Sequence, residues 1–389
     1  MATLIYALIA AIFLAAPAVA QSTRVDTIEA QQAEKAKGLG SEGPSDAELI
    51  IQRVLLSPLL SGGDGAYPWF GSVYGGTGMG LGAGFLKRLE HGAYFNAQTG
   101  ISINSSMVLR GTFASPQLWD GRLQVDASGQ WLKARDVSFY GLGQDSSQST
   151  RQRYDYTPKE FGGSATFKPM RFVSIIGGYS FLEFGTAHDV AIFPAAGAPG
   201  LGEELRYQVA RITLALDSRP APGYSTRGGF ARASFERNRE VKGRPYSVNL
   251  QEYEAVQQVP LVREQFVLAA RGLITLTTPD EGHEVPVVLA PYLGSGSTLR
   301  GFANRRFTDR NRALVSGEYR WRPSRYLDMA LFIDAGQVAP SRQDLRFDEF
   351  DVAWGIGARL HGSTFNAFRI DVARGREGLR LIFAGSQPF

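Results

Sequence analysis

The sequence predicts an all-β protein, a sixteen-stranded antiparallel barrel that crosses a membrane. Three observations carry this reading. From Tyr67 onward, apolar and polar residues alternate with a period of two over runs of ten or more residues. The one long uncharged apolar stretch is residues 1–23, so helices, which need about 20 such residues each, do not supply the span. The 389 residues include 45 glycines and no cysteine. This excludes disulfide scaffolds and cysteine-ligated metal, and it suits a chain with many turns.

The N-terminus comes first. Leu4 to Ala16 is apolar and Ala18-Val19-Ala20 follows, the small-x-small pattern of a secretory leader cut before Gln21. Residues 1–20 are therefore read as a signal peptide. No Lys or Arg precedes the apolar run, which departs from the usual pattern. Residues 21–66 carry four basic and seven acidic side chains and read as a periplasmic arm of short helices or disordered chain. Ser45 and Glu48 have the spacing of a capping box.

Residues 67–389 form the barrel. Their net charge is +7, with no Lys/Arg block interleaved with aromatics, so nucleic acid is not an expected partner. The expected strands are 69–86, 92–103, 105–114, 121–135, 159–168, 171–184, 204–217, 227–237, 247–257, 264–277, 284–291, 313–322, 326–336, 351–361, 365–374 and 377–387. Several runs exceed the typical sandwich strand of about 5–6 residues and reach the length of about 9–11 that crosses an outer membrane. One face is steadily apolar, as in Leu327, Met329, Leu331 and Ile333. The other carries Asp328 and Asp334. Lipid on one side and a wet lumen on the other produce that asymmetry. Lipid also forbids an open sheet edge, so the sheet must close. The outer membrane of a Gram-negative-type bacterium is the expected location, and its lipid an expected partner.

Catalytic signatures do not appear. The run Gly75 to Gly84 lacks the spacing and following helix of a nucleotide loop, and its alternate glycines suit a first strand with a thin inner face. There is no Gly-x-Ser-x-Gly elbow. His91, His188, His283 and His361 lie far apart and read as loop histidines rather than ligands. No cofactor, metal or enzyme activity is expected. Trp69, Trp119, Trp131, Trp321 and Trp354 read as interfacial girdle residues. The terminal Phe389, after an alternating strand, looks like the C-terminal assembly signal of outer-membrane barrels.

A family resemblance enters further along. Leu299-Arg300-Gly301-Phe302 matches the core of the signature loop of the BamA/TamA superfamily (bacterial surface antigen family). Gly317-Glu318-Tyr319-Arg320 and Phe332-Ile333-Asp334-Ala335-Gly336 resemble its next two strands, and Gly355 to Arg359 and Arg369 to Asp371 its last hairpins. The resemblance implies a loop between strands eleven and twelve that folds inward, with Arg300 locked to Glu318 and Asp334 and with Gly301, Phe302 and Gly336 supporting it. It also implies a role in outer-membrane biogenesis and dependence on barrel assembly machinery for insertion. Residues 21–66 are too few for the POTRA domain of the best-known members. The chain thus resembles a member without POTRA domains, and a separate periplasmic partner is possible. A plugged porin-like channel is the alternative function, and an outer-membrane hydrolase a more distant one.

Overall fold

A computed structural model describes residues 64–71, 73–74, 80–187, 197–262, 264–362, 366–385 and 387–389. The expected signal peptide and nearly all of the N-terminal arm lie outside the described residues. Apart from a two-residue ladder between Tyr292–Leu293 and Phe307–Thr308 in a connection, sixteen strands make up one sheet among the described residues. They are β1 (Gly65–Gly71), β2 (Gly80–Arg88), β3 (Tyr94–Ser102), β4 (Met107–Ala114), β5 (Leu123–Phe139), β6 (Gln152–Met170), β7 (Val173–Ala187) and β8 (Leu205–Asp217). The second half comprises β9 (Gly228–Glu240), β10 (Val248–Val262), β11 (Phe266–Pro279), β12 (Asn311–Trp321), β13 (Leu327–Ala339), β14 (Asp351–His361), β15 (Asn366–Gly375) and β16 (Gly378–Ala384).

Each strand pairs antiparallel with its neighbours in sequence, and β1 and β16 are the two edges of the sheet. The sheet is rolled into a barrel. Residues 280–310, which join β11 to β12, touch both of its ends: Arg305 donates to the Tyr74 hydroxyl just past β1 at 3.0 Å, and Arg306 pairs with Glu377 just before β16 at 2.6 Å. A flat sheet of sixteen strands could not bring those two residues to one segment.

The alternation sorts the two faces as expected. Outward-facing residues are large and apolar, among them Phe161 at 66 % exposure, Leu268, Leu331, Ile333 and Leu381. In water such a band would be an aggregation surface, whereas in a bilayer it meets acyl chains. Aromatic pairs mark one rim: Trp119 lies edge-on to Phe167, and Phe266, Tyr319 and Trp321 run side by side. The connections are unequal. Residues 140–151, 197–204, 280–310 and 340–350 lie at one end, while the other end carries such short turns as 171–172 and 322–326.

Several boundaries differ from the sequence reading. The expected strand 69–86 is two strands, because the glycine alternation in the sequence runs on without a break from one into the other. The expected strand 284–291 is not a strand. Val285, Val287 and Val288 are buried there, but they lie in the long connection, packed against side chains of the neighbouring strands and connections, and Pro286 and Pro291 have no N–H to offer a ladder. These two errors compensate, so the count of sixteen and the placement of Glu318 and Asp334 on strands twelve and thirteen hold. The last strand ends at Ala384, not at residue 387.

Glycine thins the wall near the β1 edge. A Cβ on Gly84 would lie 2.1 Å from the Tyr67 ring, and one on Gly100 2.4 Å from the Trp69 ring. Both β1 aromatics therefore lie over the polar face of β2 and β3. Tyr67 bonds Asn96 and Gln98 there. Trp69 is thus an inner residue, not a girdle residue.

Candidate functional site

The largest buried polar cluster gathers where residues 280–310 meet strands β12 to β15. Arg300 is 1 % exposed. Its Nε and Nη2 donate to the two carboxylate oxygens of Asp334 at 2.7 and 2.8 Å, and its backbone N–H donates to Asp334 Oδ2 at 3.1 Å. Nη1 donates to Glu318 Oε1 at 2.6 Å and lies 3.6 Å from Asp371. The guanidinium also sits 3.6 Å above the Phe332 ring. A planar fork suits this double carboxylate grip, which a lysine could not reproduce.

Strand register explains why the partners converge. Ser316 faces Asp334 and Glu318 faces Phe332 across β12 and β13, while Gly357 faces Asp371 across β14 and β15. All are on the polar face. The carboxylates are themselves held: Glu318 accepts from Arg359 and from Arg320, each at 2.7 Å, and Asp371 from Arg369 at 2.7 Å. Four guanidiniums and three carboxylates thus form one network, nearly balanced in charge. A buried ion needs such compensation to avoid its desolvation cost.

The residues beside Arg300 are packed to the wall. A Cβ on Gly301 would lie 2.6 Å from the Gly375 nitrogen and 2.7 Å from Ala353 Cβ, so only glycine admits this approach. Phe302 is buried, stacks obliquely on Phe307 and covers Gly375. Gly336 leaves room for Leu293. Leu293, Leu299, Phe302, Phe307 and Leu314 form one apolar cluster beneath the network. Every residue singled out by sequence for the loop therefore lies in one place.

Phe389 is not in the sheet. Its ring lies 5.9 Å from the Arg271 guanidinium and 5.5 Å from that of Arg320. Arg271 in turn donates to Ser297 O at 2.8 Å and pairs with Glu254. The end of the chain thus adjoins the same polar wall as the long connection.

Sequence reasoning missed two further features. His361 is 2 % exposed, not a loop residue. It stacks on Tyr224 at 3.8 Å and contacts Asp328 through Nε2 at 3.1 Å, and Tyr224 donates to Asp328 at 2.8 Å. The 218–227 connection is thereby tied to β13 and β14, several strands away. The alternation placed His361 on the polar face, but nothing local signals its partner. The second feature is Arg305, which is buried between the Tyr292 ring at 4.3 Å, the Tyr74 hydroxyl and Val287 O. Burial raises the Tyr74 phenol above its usual range, so it stays protonated beside that cation. Among the described residues no group of three or more metal-binding side chains comes together.

Comparison with known proteins follows the same lines. The chain is similar over 83 % of its length to BamA from Haemophilus ducreyi, in a structure lacking POTRA domains 1–3, with a TM-score of 0.63, 14 % identity and 70 % of that chain covered. It is similar over 82 % of its length to CdiB from Escherichia coli, with a TM-score of 0.55 and 12 % identity. It spans 61 % of CdiB's length. At these identities the likeness is one of fold. No curated protein matches the sequence. The Omp85 superfamily domain model, however, matches residues 91–375, which include every strand from β3 to β15 and the whole arginine network, and the chain belongs to the Omp85 superfamily.

Proposed function

We propose that this protein works in the outer membrane as a non-enzymatic barrel that inserts or translocates other macromolecules. Membership of the Omp85 superfamily supports the class. The observation that carries the mechanism is the pair of seven-residue edge strands, β1 and β16, that bound the sheet. Edge strands present unpaired backbone groups, which a bilayer cannot hydrate. A client strand could add to such an edge. The test uses the absence of cysteine: one cysteine is placed in β1 and one in β16, and client assembly is followed with and without oxidation. Loss of assembly only in the oxidised, cross-linked state is expected. Full activity of the cross-linked barrel overturns the reading.

In this proposal residues 280–310 fold into the lumen, Arg300 locks them, and the barrel is gated rather than open. Gly301, Phe302 and Gly336 permit the close fit, while Glu318 and Asp334 are the acceptors. Phe389 serves assembly of this barrel by the host's barrel assembly machinery, and a separate periplasmic partner supplies client delivery. The reading as a plugged pore draws on the same segment, and deletion of residues 295–310 separates the two. Conductance should rise on either reading, whereas loss of client assembly is expected of an insertase and not of a pore.

A further inference from the structure

The end with the long connections holds a cavity of about 500 Å³ outside the arginine network. It lies between the β5–β6 hairpin, Ala303 and Asn304 of the long connection, and Tyr74. Three arginines line it, Arg135, Arg151 and Arg380, against one carboxylate, Asp136. Around the long connection most buried guanidiniums are matched by carboxylates: Arg300 with Asp334 and Glu318, Arg306 with Glu377, Arg369 with Asp371. Arg305 is the exception, held by Tyr74 and Val287 O. Among the described residues, none of the three cavity arginines has a carboxylate within 4.0 Å. Like charges converging on one space repel unless an anion enters it.

The segments that carry Arg135 and Arg151 are also held in place. The β5–β6 ladder shifts register between Ala134 and Val137, which frees Arg135 and Asp136 from pairing. Asp136 takes a φ of 55°. The Asn104 side chain holds the Arg135 carbonyl at 3.0 Å, and the Asp155 carboxylate accepts the Asp136 N–H at 3.3 Å. A bulge of this kind re-aims side chains and is common beside functional sites. Arg151 Nε donates to Ser138 Oγ at 3.0 Å, which pins that guanidinium at the wall. Tyr140, Gln148 and Ser149 add neutral hydrogen-bonding groups. The volume is within the range of about 300–1,000 Å³ of small-molecule sites, while the polar lining does not suit an acyl chain.

We propose that this cavity binds an anionic saccharide: a sugar whose phosphate or carboxylate group is held by the guanidinium forks and whose hydroxyls meet the neutral groups. Arginine recognises both anions through two parallel hydrogen bonds. The ligand could be a soluble sugar or the phosphorylated head of a lipid-linked one, since the chemistry presented to the cavity is the same.

The test is a calorimetric titration of the full chain in non-ionic detergent with glucose 1-phosphate, alongside glucose and inorganic phosphate. Saturable binding of glucose 1-phosphate is expected, weakening with salt, with glucose silent. Arg151→Gln and Arg380→Gln should each weaken it about tenfold, the worth of one charged hydrogen bond. Retained heat-modifiable gel mobility shows that the variant barrels are folded. Lipid A vesicles that displace glucose 1-phosphate, where phosphatidylcholine vesicles do not, identify a lipid-linked source; retained binding in their presence identifies a soluble one. No saturable binding to the folded wild type, or equal binding by both folded variants, overturns the site. Inorganic phosphate binding as tightly as glucose 1-phosphate overturns the assignment to a saccharide.

Discussion

Arg300 is the residue on which most of the buried charge depends. Its removal would leave Asp334 and Glu318 buried with fewer compensating donors, and breaking a buried pair in this way costs about 3–5 kcal/mol. Arg300→Ala should lower the urea midpoint of the purified barrel and open new protease cleavage near residues 295–312 in intact cells. Unchanged protection would count against the lock. Arg300→Lys should rescue little, since an ammonium cannot span both Asp334 oxygens and Glu318 at once. Gly100 offers a steric counterpart. In Gly100→Leu the added side chain meets the Trp69 ring, and overpacking of this kind costs about 1–3 kcal/mol. The expected result is a β1 that exchanges its amide protons faster than β3. Equal protection of the two strands would show that the wall has room to spare.

At the scale of elements, the connections do as much as the strands. Residues 280–310 reach Pro245, Pro199, residue 143 and Glu377 by hydrogen bonds or ion pairs, so one segment touches much of the circumference. The 218–227 connection makes a smaller bridge at the opposite end through Tyr224. Tyr224→Ala removes both the stack on His361 and the hydrogen bond to Asp328, and trypsin should then cut faster at Arg219 or Arg227. A cleavage rate equal to wild type would mean that the turn is held by other contacts. The strands themselves were largely legible in the sequence, because a period of two survives into the structure wherever lipid and lumen sort the faces. The elements misread were those where the period continued without a ladder. In residues 284–291 apolar side chains alternate against the barrel wall, and in residues 69–86 the glycine pattern spans two strands.

The described strands form one rolled sheet with two short edges. Deletion of residues 295–310 should raise single-channel conductance in planar bilayers. If conductance does not rise, these residues do not obstruct the lumen. The candidate site was legible only in part. Arg300, Glu318 and Asp334 could be named as partners from motifs, whereas Arg320, Arg359, Arg369 and Asp371 lay within the quoted motifs but nothing in the sequence assigned them to the network they complete. Tyr224 and His361 are 137 positions apart, and no local pattern pairs them.

What can be read from the chain alone is periodic: which face of each strand meets lipid and which positions along it are glycine or charged. Those properties follow from local geometry, since a residue's face depends only on its place along its own strand. Which charge meets which is a different matter. It depends on register summed over sixteen strands and on the path of a connection whose contacts lie far away in sequence. The tertiary structure therefore sets the arginine network, the inward placement of Trp69, the position of Phe389 off the sheet, and the cavity whose three arginines have no carboxylate partner among the described residues.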